Sequence, residues 1–251
     1  MGPGTMTLPT ILSKLDRTPT GGTPTAAALK AAADYFTSGG GKDLVGDKYV
    51  LLATDGGPNG NGAVTCEAPT CTTNMDLNQT GAGAMNYCAS SVPDGPRSCL
   101  DDKATTDQLT SMASSGIKTF VVGIPGTDPY IATLDAMAVA GGAPASTTTP
   151  KYFAVAASGG VAGLQQVFES ITKQLIKSCS LQLQSSPPDP GLLNVYVDGK
   201  VIPQPGDDGW ALDGSTSPPT VVLKGATCAA IQSTGAETIQ VQYGCPTVIV
   251  R

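Results

Sequence analysis

Histidine is absent from the 251 residues of this chain. That removes Ser-His-Asp and Cys-His catalysis, HExxH zinc sites and every histidine-ligated metal. The carboxylates are scattered, and the sequence places no pair of them on one cleft, so carboxylate-only hydrolysis has no visible seat. The expected catalytic set is therefore empty, and the chain reads as a non-enzyme. What remains is oxygen-donor chemistry. Asp55 comes after the apolar run Tyr49–Ala53 and precedes Gly56-Gly57-Pro58, while Thr23 lies in Gly21-Gly22-Thr23-Pro24-Thr25. Hydroxyl and carboxylate oxygens suit hard cations such as Mg2+ or Ca2+. Taken alone, Asp-Gly-Gly-Pro reads first as a simple turn, the commonest use of these residues.

Both residues need elements to hold them. The run Lys48-Tyr-Val-Leu-Leu-Ala-Thr54 is continuously apolar through its middle, which predicts a central strand buried on both faces. Asp55 would then stand at the carboxyl end of a sheet strand, where ligands bind in open α/β sheets. Thr23 precedes a helix over residues 26 to 37, with Leu29, Ala33 and Phe36 on one face. A second helix is expected from Thr105 to Ser115, capped at Thr105 or Thr106, with Leu109 and Met112 inward. Lys118–Ile124 is a further buried strand, with Gly123 where the chain leaves the sheet. Tyr130–Val139 is a helix with Leu134, Met137 and Ala138 inward, and Lys151–Val155 a short strand. A last helix runs from Val161 to Lys177, with Leu164, Val167, Phe168, Ile171, Leu175 and Ile176 on its inner side. The βα alternation implies a parallel sheet with right-handed crossovers.

The Gly-Thr-x-Thr loop at Thr23, the helix after it and the strand-end Thr54-Asp55-Gly56 resemble a von Willebrand factor type A domain. The resemblance implies a partial Rossmann-like parallel sheet flanked by helices. It also implies that Thr23 and Asp55 each give one ligand to a divalent cation in a metal-ion-dependent adhesion site. In that family the cation, Mg2+ or Ca2+, receives an acidic side chain from a protein or extracellular partner. The family takes its first ligands from an Asp-x-Ser-x-Ser motif ending an upstream strand that lies beside the Asp55 strand. None of the 22 residues before Thr23 spells that motif; they offer one short helix near Ile11 to Leu15. The expectation is a chain that starts inside a larger domain, with an incomplete cation site and a β edge left open along Tyr49–Ala53, where Val50 and Leu52 lose cover and other chains are recruited.

Seven cysteines, at 66, 71, 88, 99, 179, 228 and 245, show neither CxxC spacing nor a histidine partner. They predict disulfides in an oxidising compartment, with one thiol left over. The location implied is extracellular, cell-surface or periplasmic, in a bacterial surface apparatus. Met1–Thr10 does not read as a signal peptide, so the export reading expects a true start upstream. No run of about 18 apolar residues marks a membrane span, and a net charge of −6 without a basic run gives no footprint for nucleic acid. Four cysteines fall in the long segment 56–104, rich in Gly, Asn, Thr and Pro. It is either a specificity loop on the rim of the ligand face or a solvent-exposed disulfide lobe, with three pairings open.

From Cys179 onward the texture changes to alternation. Residues 180–184, 192–197, 209–212, 220–223 and 238–243 read as strands with one wet face, hence antiparallel sheet. Val197-Asp198-Gly199-Lys200-Val201 signals a two-residue hairpin. Ala229–Ser233 is a short helix or a linking turn, and Trp210 is expected in the core. The domains read as 1–178, truncated α/β with the loop 56–104, and 179–251, a small β-rich module. Two functions stand: a metal-bridged binding or adhesion protein, or a structural or assembly fragment without metal-dependent activity. A nucleotide-binding enzyme is disfavoured, because Gly39-Gly-Gly-Lys42 comes after a helix rather than a strand.

Overall fold

A computed structural model describes residues 9–10, 12–13, 21–44, 46–176, 179–204, 206–234 and 238–244. The expected helix at Ile11–Leu15 and the seventh cysteine, Cys245, fall largely or wholly outside these. The chain divides into two compact units. The first joins Met1–Thr25 to Pro58–Asp101; the second joins Ala26–Gly57 to Asp102–Arg251.

The second unit is organised around β2 (Ile117–Gly123), every residue of which is buried except Lys118. It pairs in parallel with β1 (Lys48–Thr54) on one side and with β3 (Phe153–Ala154) on the other. The order β1-β2-β3 makes β2 the central strand. This corrects the expectation for Tyr49–Ala53: β1 lies at the edge of its sheet, and Leu51 is 47% exposed. An apolar run reports burial but not sheet position, and of two similar runs only Ile117–Gly123 has neighbours on both sides among the described residues. Among the described residues the outer flank of β1 has no partner strand, and Val50 and Leu52 are half-buried.

Three helices cover β2. Helix α3 (Asp102–Ser114) and α4 (Ile131–Ala140) pack on it, with Leu109, Met112, Leu134, Met137 and Ala138 buried as expected. On the face of Phe120 and Val122 lies α5 (Gly160–Ile176), through Val167 and Ile171 with Leu164 and Leu175 at their margin. Phe168, whose spacing also points to this face, is instead 41% exposed. Positions 164, 167, 171 and 175 define the inward stripe, and residue 168 is one step, about 100°, around the helix from 167. Helix α3 starts at Asp102 rather than at the expected Thr105 or Thr106. Asp102 occupies the first turn, where a carboxylate favours the helix dipole, and Thr105 is fully buried inside the helix. The Lys151–Val155 strand contracts to two residues, although Val155 N still donates to Gly123 O at 2.8 Å.

Residues 179 onward form two three-stranded antiparallel sheets. One is ordered β4 (Ser180–Gln182), β8 (Thr220–Leu223), β7 (Trp210–Asp213); the other is β6 (Lys200–Ile202), β5 (Leu193–Val197), β9 (Ile239–Tyr243). The hairpin stands as read: Asp198 and Gly199 carry φ of 48° and 76°, the two positive values such a turn demands. Trp210 is 1% exposed, and its indole Nε1 donates to Ile202 O at 3.0 Å, so the ring fills the core while its polar atom is satisfied. Helix α6 (Gly225–Thr234) resolves the open choice at Ala229–Ser233 and begins earlier than expected. It carries Cys228, which is bonded to Cys179.

The first unit is the segment after Asp55 rebuilt as structure. Helix α1 (Thr25–Thr37) leaves it, with Leu29 buried at its start. Within 58–101, short 3-10 turns at Ala68–Thr70 and Gly95–Ser98 flank α2 (Thr72–Asp76). The disulfides Cys66–Cys99 and Cys71–Cys88 select one of the three pairings. Asn74, fully buried, donates to Gln79 O and Met85 O, both at 2.8 Å, and its Oδ1 accepts from Tyr87 N at 3.0 Å. The segment therefore has sulfur and polar bonds where its composition cannot supply a large apolar core.

Candidate functional site

At the carboxyl end of β1, Thr54 is buried and closes a tight turn: its Oγ1 donates to Gly56 O at 2.8 Å and accepts from Gly56 N at 3.2 Å. That turn leaves the Asp55 side chain exposed, outside the end of the sheet. Thr54 pairs with Gly123 at the end of β2, and Ile124 N donates to Thr54 O at 2.9 Å. The loop after β2 then passes directly over Asp55. A Cβ on Gly126 would lie 2.8 Å from the Asp55 carbonyl oxygen, and Gly126 has a φ of +119°, so only glycine fits this approach. Asp55 thus projects from a backbone held on both sides, with a carboxylate free to meet an incoming group. The position obeys the general rule for open α/β sheets.

Thr23 belongs to the first unit. It is half-buried, and its backbone is fixed at both polar atoms: Thr23 N donates to Asn59 Oδ1 at 2.6 Å, and Thr23 O accepts from Asn59 N at 2.9 Å and Thr25 N at 2.7 Å. Asn59 Nδ2 in turn donates to Thr72 Oγ1 at 3.0 Å. Nearby in the chain, Asn61 Nδ2 donates to the buried Asp101 at 3.1 Å, and Asp101 N donates to Pro58 O at 2.8 Å. Asn59, Asn61 and Asp101 do not stand out in the sequence. A signal is present in Asn59-Gly60-Asn61-Gly62, whose alternating Asn and Gly mark side chains that bond to backbone. The Thr23–Asn59 and Asn61–Asp101 bonds, which span 36 and 40 residues, are not readable from spacing.

Thr23 and Asp55 lie in different units, and their joint role rests on the motif resemblance. Among the described residues, the close group of three or more potential sulfur, imidazole or carboxylate ligands is Cys66, Cys88 and Cys99. All three are tied up in disulfides. Asp55 offers a carboxylate and Thr23 a hydroxyl, two oxygens where an octahedral ion takes more. A cavity of about 780 Å³ opens at the other end of β1, lined by Asp47, Tyr49, Gln182, Thr216, Thr220 and Gln240. This cavity and the exposed Asp55 carboxylate are therefore at opposite ends of β1.

No protein-family model matches the chain, and no curated protein matches it. Among solved structures it is similar to the pilus adhesin SpaC from Lactobacillus rhamnosus GG, at 14% identity and a TM-score of 0.39. The match covers 86% of this chain and 28% of the adhesin, so the chain spans less than a third of that protein's length. Likeness at this level assigns no function. Among the described residues no helix is long and apolar enough to cross a membrane.

Proposed function

We propose that the chain belongs to an exported, non-enzymatic binding or adhesion protein of the von Willebrand factor type A kind, which meets its partner through a divalent cation. The observation that carries this reading is the exposed Asp55 carboxylate at the carboxyl end of a parallel strand, on a backbone held by Thr54 and Gly126. In this reading Thr23 and Asp55 give two oxygens to Mg2+ or Ca2+, and an acidic side chain of a protein or extracellular ligand takes an open coordination position. Three disulfides support an oxidising, extracellular, surface or periplasmic setting.

A second reading has its own observation. β1 has no partner along its outer edge among the described residues. This favours a structural or assembly piece in which the sheet persists without metal-dependent activity. Calorimetric titration with Mg2+ and Ca2+ separates the two. The first reading expects weak binding that Asp55→Ala removes; tight binding that survives Asp55→Ala would overturn the assignment of this residue.

A further inference from the structure

The two disulfides of the first unit lie against each other. The Sγ atoms of Cys66, Cys88 and Cys99 are all within 4.8 Å of one another, although Cys88 is bonded to Cys71 and not to either of the others. Cys71 and Cys99 also face each other across an antiparallel β-bridge. Cys71, Cys88 and Cys99 are buried, so little water separates the sulfurs.

We propose that these four cysteines act as one redox-responsive clamp on the Thr23 loop, with Cys88 as the exchange centre and Cys71 as the thiol that is set free. Consider reduction by a small dithiol. Two electrons pass to one protein disulfide, two protein thiols form, and the dithiol leaves as its cyclic disulfide. If Cys66–Cys99 opens, either freed thiolate attacks the nearby Cys88 Sγ, the Cys71–Cys88 bond breaks, and Cys71 departs as a thiolate that takes a proton. If Cys71–Cys88 opens instead, the Cys88 thiolate attacks Cys66 or Cys99, the Cys66–Cys99 bond breaks, the other of that pair leaves as a thiolate that takes a proton, and Cys71 stays behind as a free thiol. Both routes are redox-neutral after the first step. Both end with Cys88 joined to Cys66 or Cys99, and with Cys71 released.

The release of Cys71 matters because its chain neighbour, Thr72, is bonded in two directions. Thr72 Oγ1 donates to Ser98 O at 2.8 Å, so the residues next to Cys71 and Cys99 are bonded to each other. Thr72 Oγ1 also accepts from Asn59 Nδ2 at 3.0 Å, and Asn59 Oδ1 accepts from Thr23 N at 2.6 Å. A short relay thus runs from Cys71 through Thr72 and Asn59 to the backbone of Thr23. Freeing Cys71 loosens the first link and lets the last one open. No cation takes part, so the clamp is independent of the reading of Thr23 and Asp55 as ligands.

The experiment treats the native full chain with one equivalent of dithiothreitol, quenches with acid and N-ethylmaleimide, and maps the linked peptides without further reduction. The expected map shows Cys71 as the most often alkylated of these four cysteines, and Cys88 linked to Cys66 or Cys99. Alkylation of Cys66 with Cys99 while Cys71–Cys88 remains intact, or of Cys71 with Cys88 while Cys66–Cys99 remains intact, would overturn the exchange. So would bonds that open only in denaturant. The second arm reads the clamp by hydrogen exchange at the Thr23 amide in the Cys71→Ser/Cys88→Ser chain. Exchange there should speed up about tenfold, the response of a local opening, while Trp210 fluorescence stays native. Unchanged Thr23 protection contradicts the relay.

Discussion

The Thr23 amide donates to the Asn59 side-chain carbonyl at 2.6 Å, while the Asn59 amide donates back to the Thr23 carbonyl at 2.9 Å. This reciprocal pair fixes the loop ahead of α1 to the start of the disulfide-stapled segment. Asn59→Ala removes the acceptor for Thr23 and the donor to Thr72. The expected cost is about 1–3 kcal/mol, from two net hydrogen bonds. Asn59→Asp keeps the acceptor and loses the donor, so it should fall between wild type and Asn59→Ala. Urea titration with hydrogen exchange at Thr23 checks the order.

Tyr49 stacks on Phe120 with centroids 5.6 Å apart, and its hydroxyl donates to Asp47 at 3.3 Å. Burial, then the Asp47 charge and the hydrogen bond to it, hold the phenol above its usual pKa of 10.0. The folded chain therefore keeps this proton at pH values where the unfolded chain has lost it. The associated stability is fully present below the unfolded tyrosine pKa and is lost as pH rises through the folded one. Alkaline melts should decline more steeply in wild type than in Tyr49→Phe above the ordinary tyrosine pKa, and ultraviolet titration should show one late phenolate that the variant lacks.

Thr119 lies in the middle of β2 with no exposed surface, and its Oγ1 has no hydrogen-bond partner among the described residues. A buried hydroxyl without a partner carries a desolvation penalty of about 1–3 kcal/mol on mutational scales. Thr119→Val keeps the shape and removes the polar atom. It should raise the urea midpoint, with a gain of up to about 2 kcal/mol. A loss of stability would mean that the hydroxyl is satisfied.

The register of β1 on β2, with Ile124 N bonded to Thr54 O, turns Lys48, Val50, Leu52 and Thr54 toward β2. Alternation along a parallel ladder then points the amides of Tyr49, Leu51 and Ala53 outward. These three should exchange far faster than their neighbours. Leu51→Lys should reduce self-association on warming, as charges do on edge strands. Because Leu51 is already 47% exposed, the change should move stability by less than about 1 kcal/mol, a fraction of what full burial contributes. Slow exchange at all three amides in a monodisperse monomer would show that this edge is paired.

How far the sequence carries is clearest at two pairs of elements. The Asp198-Gly199 hairpin and the Trp210 core position are legible because local chemistry decides them: positive φ in one case, a large apolar side chain in the other. Tyr49–Ala53 and Ile117–Gly123 have nearly the same texture, yet one is an edge and the other the centre. That difference depends on how many neighbours each strand finds, a long-range property that no window of residues holds. Phe168 sits one helical step away from its expected face for a related reason, since a stripe can be drawn through several positions until a partner surface selects one. The same limit applies at the candidate site. Thr23 and Asp55 announce themselves through short motifs, whereas Asn59, Asn61 and Asp101 become visible only when distant side chains meet.

If Asp55 and Thr23 contribute to one hard-cation site, a paramagnetic ion bound there must reach both. Millimolar Mn2+ added to the full chain, with line broadening followed in amide NMR spectra, makes that visible residue by residue. Broadening is expected at Gly56 and at Thr23 together, reversed by excess Mg2+ and abolished by Asp55→Ala. Broadening that centres elsewhere, that reaches Gly56 without Thr23, or that survives Asp55→Ala would contradict the shared site.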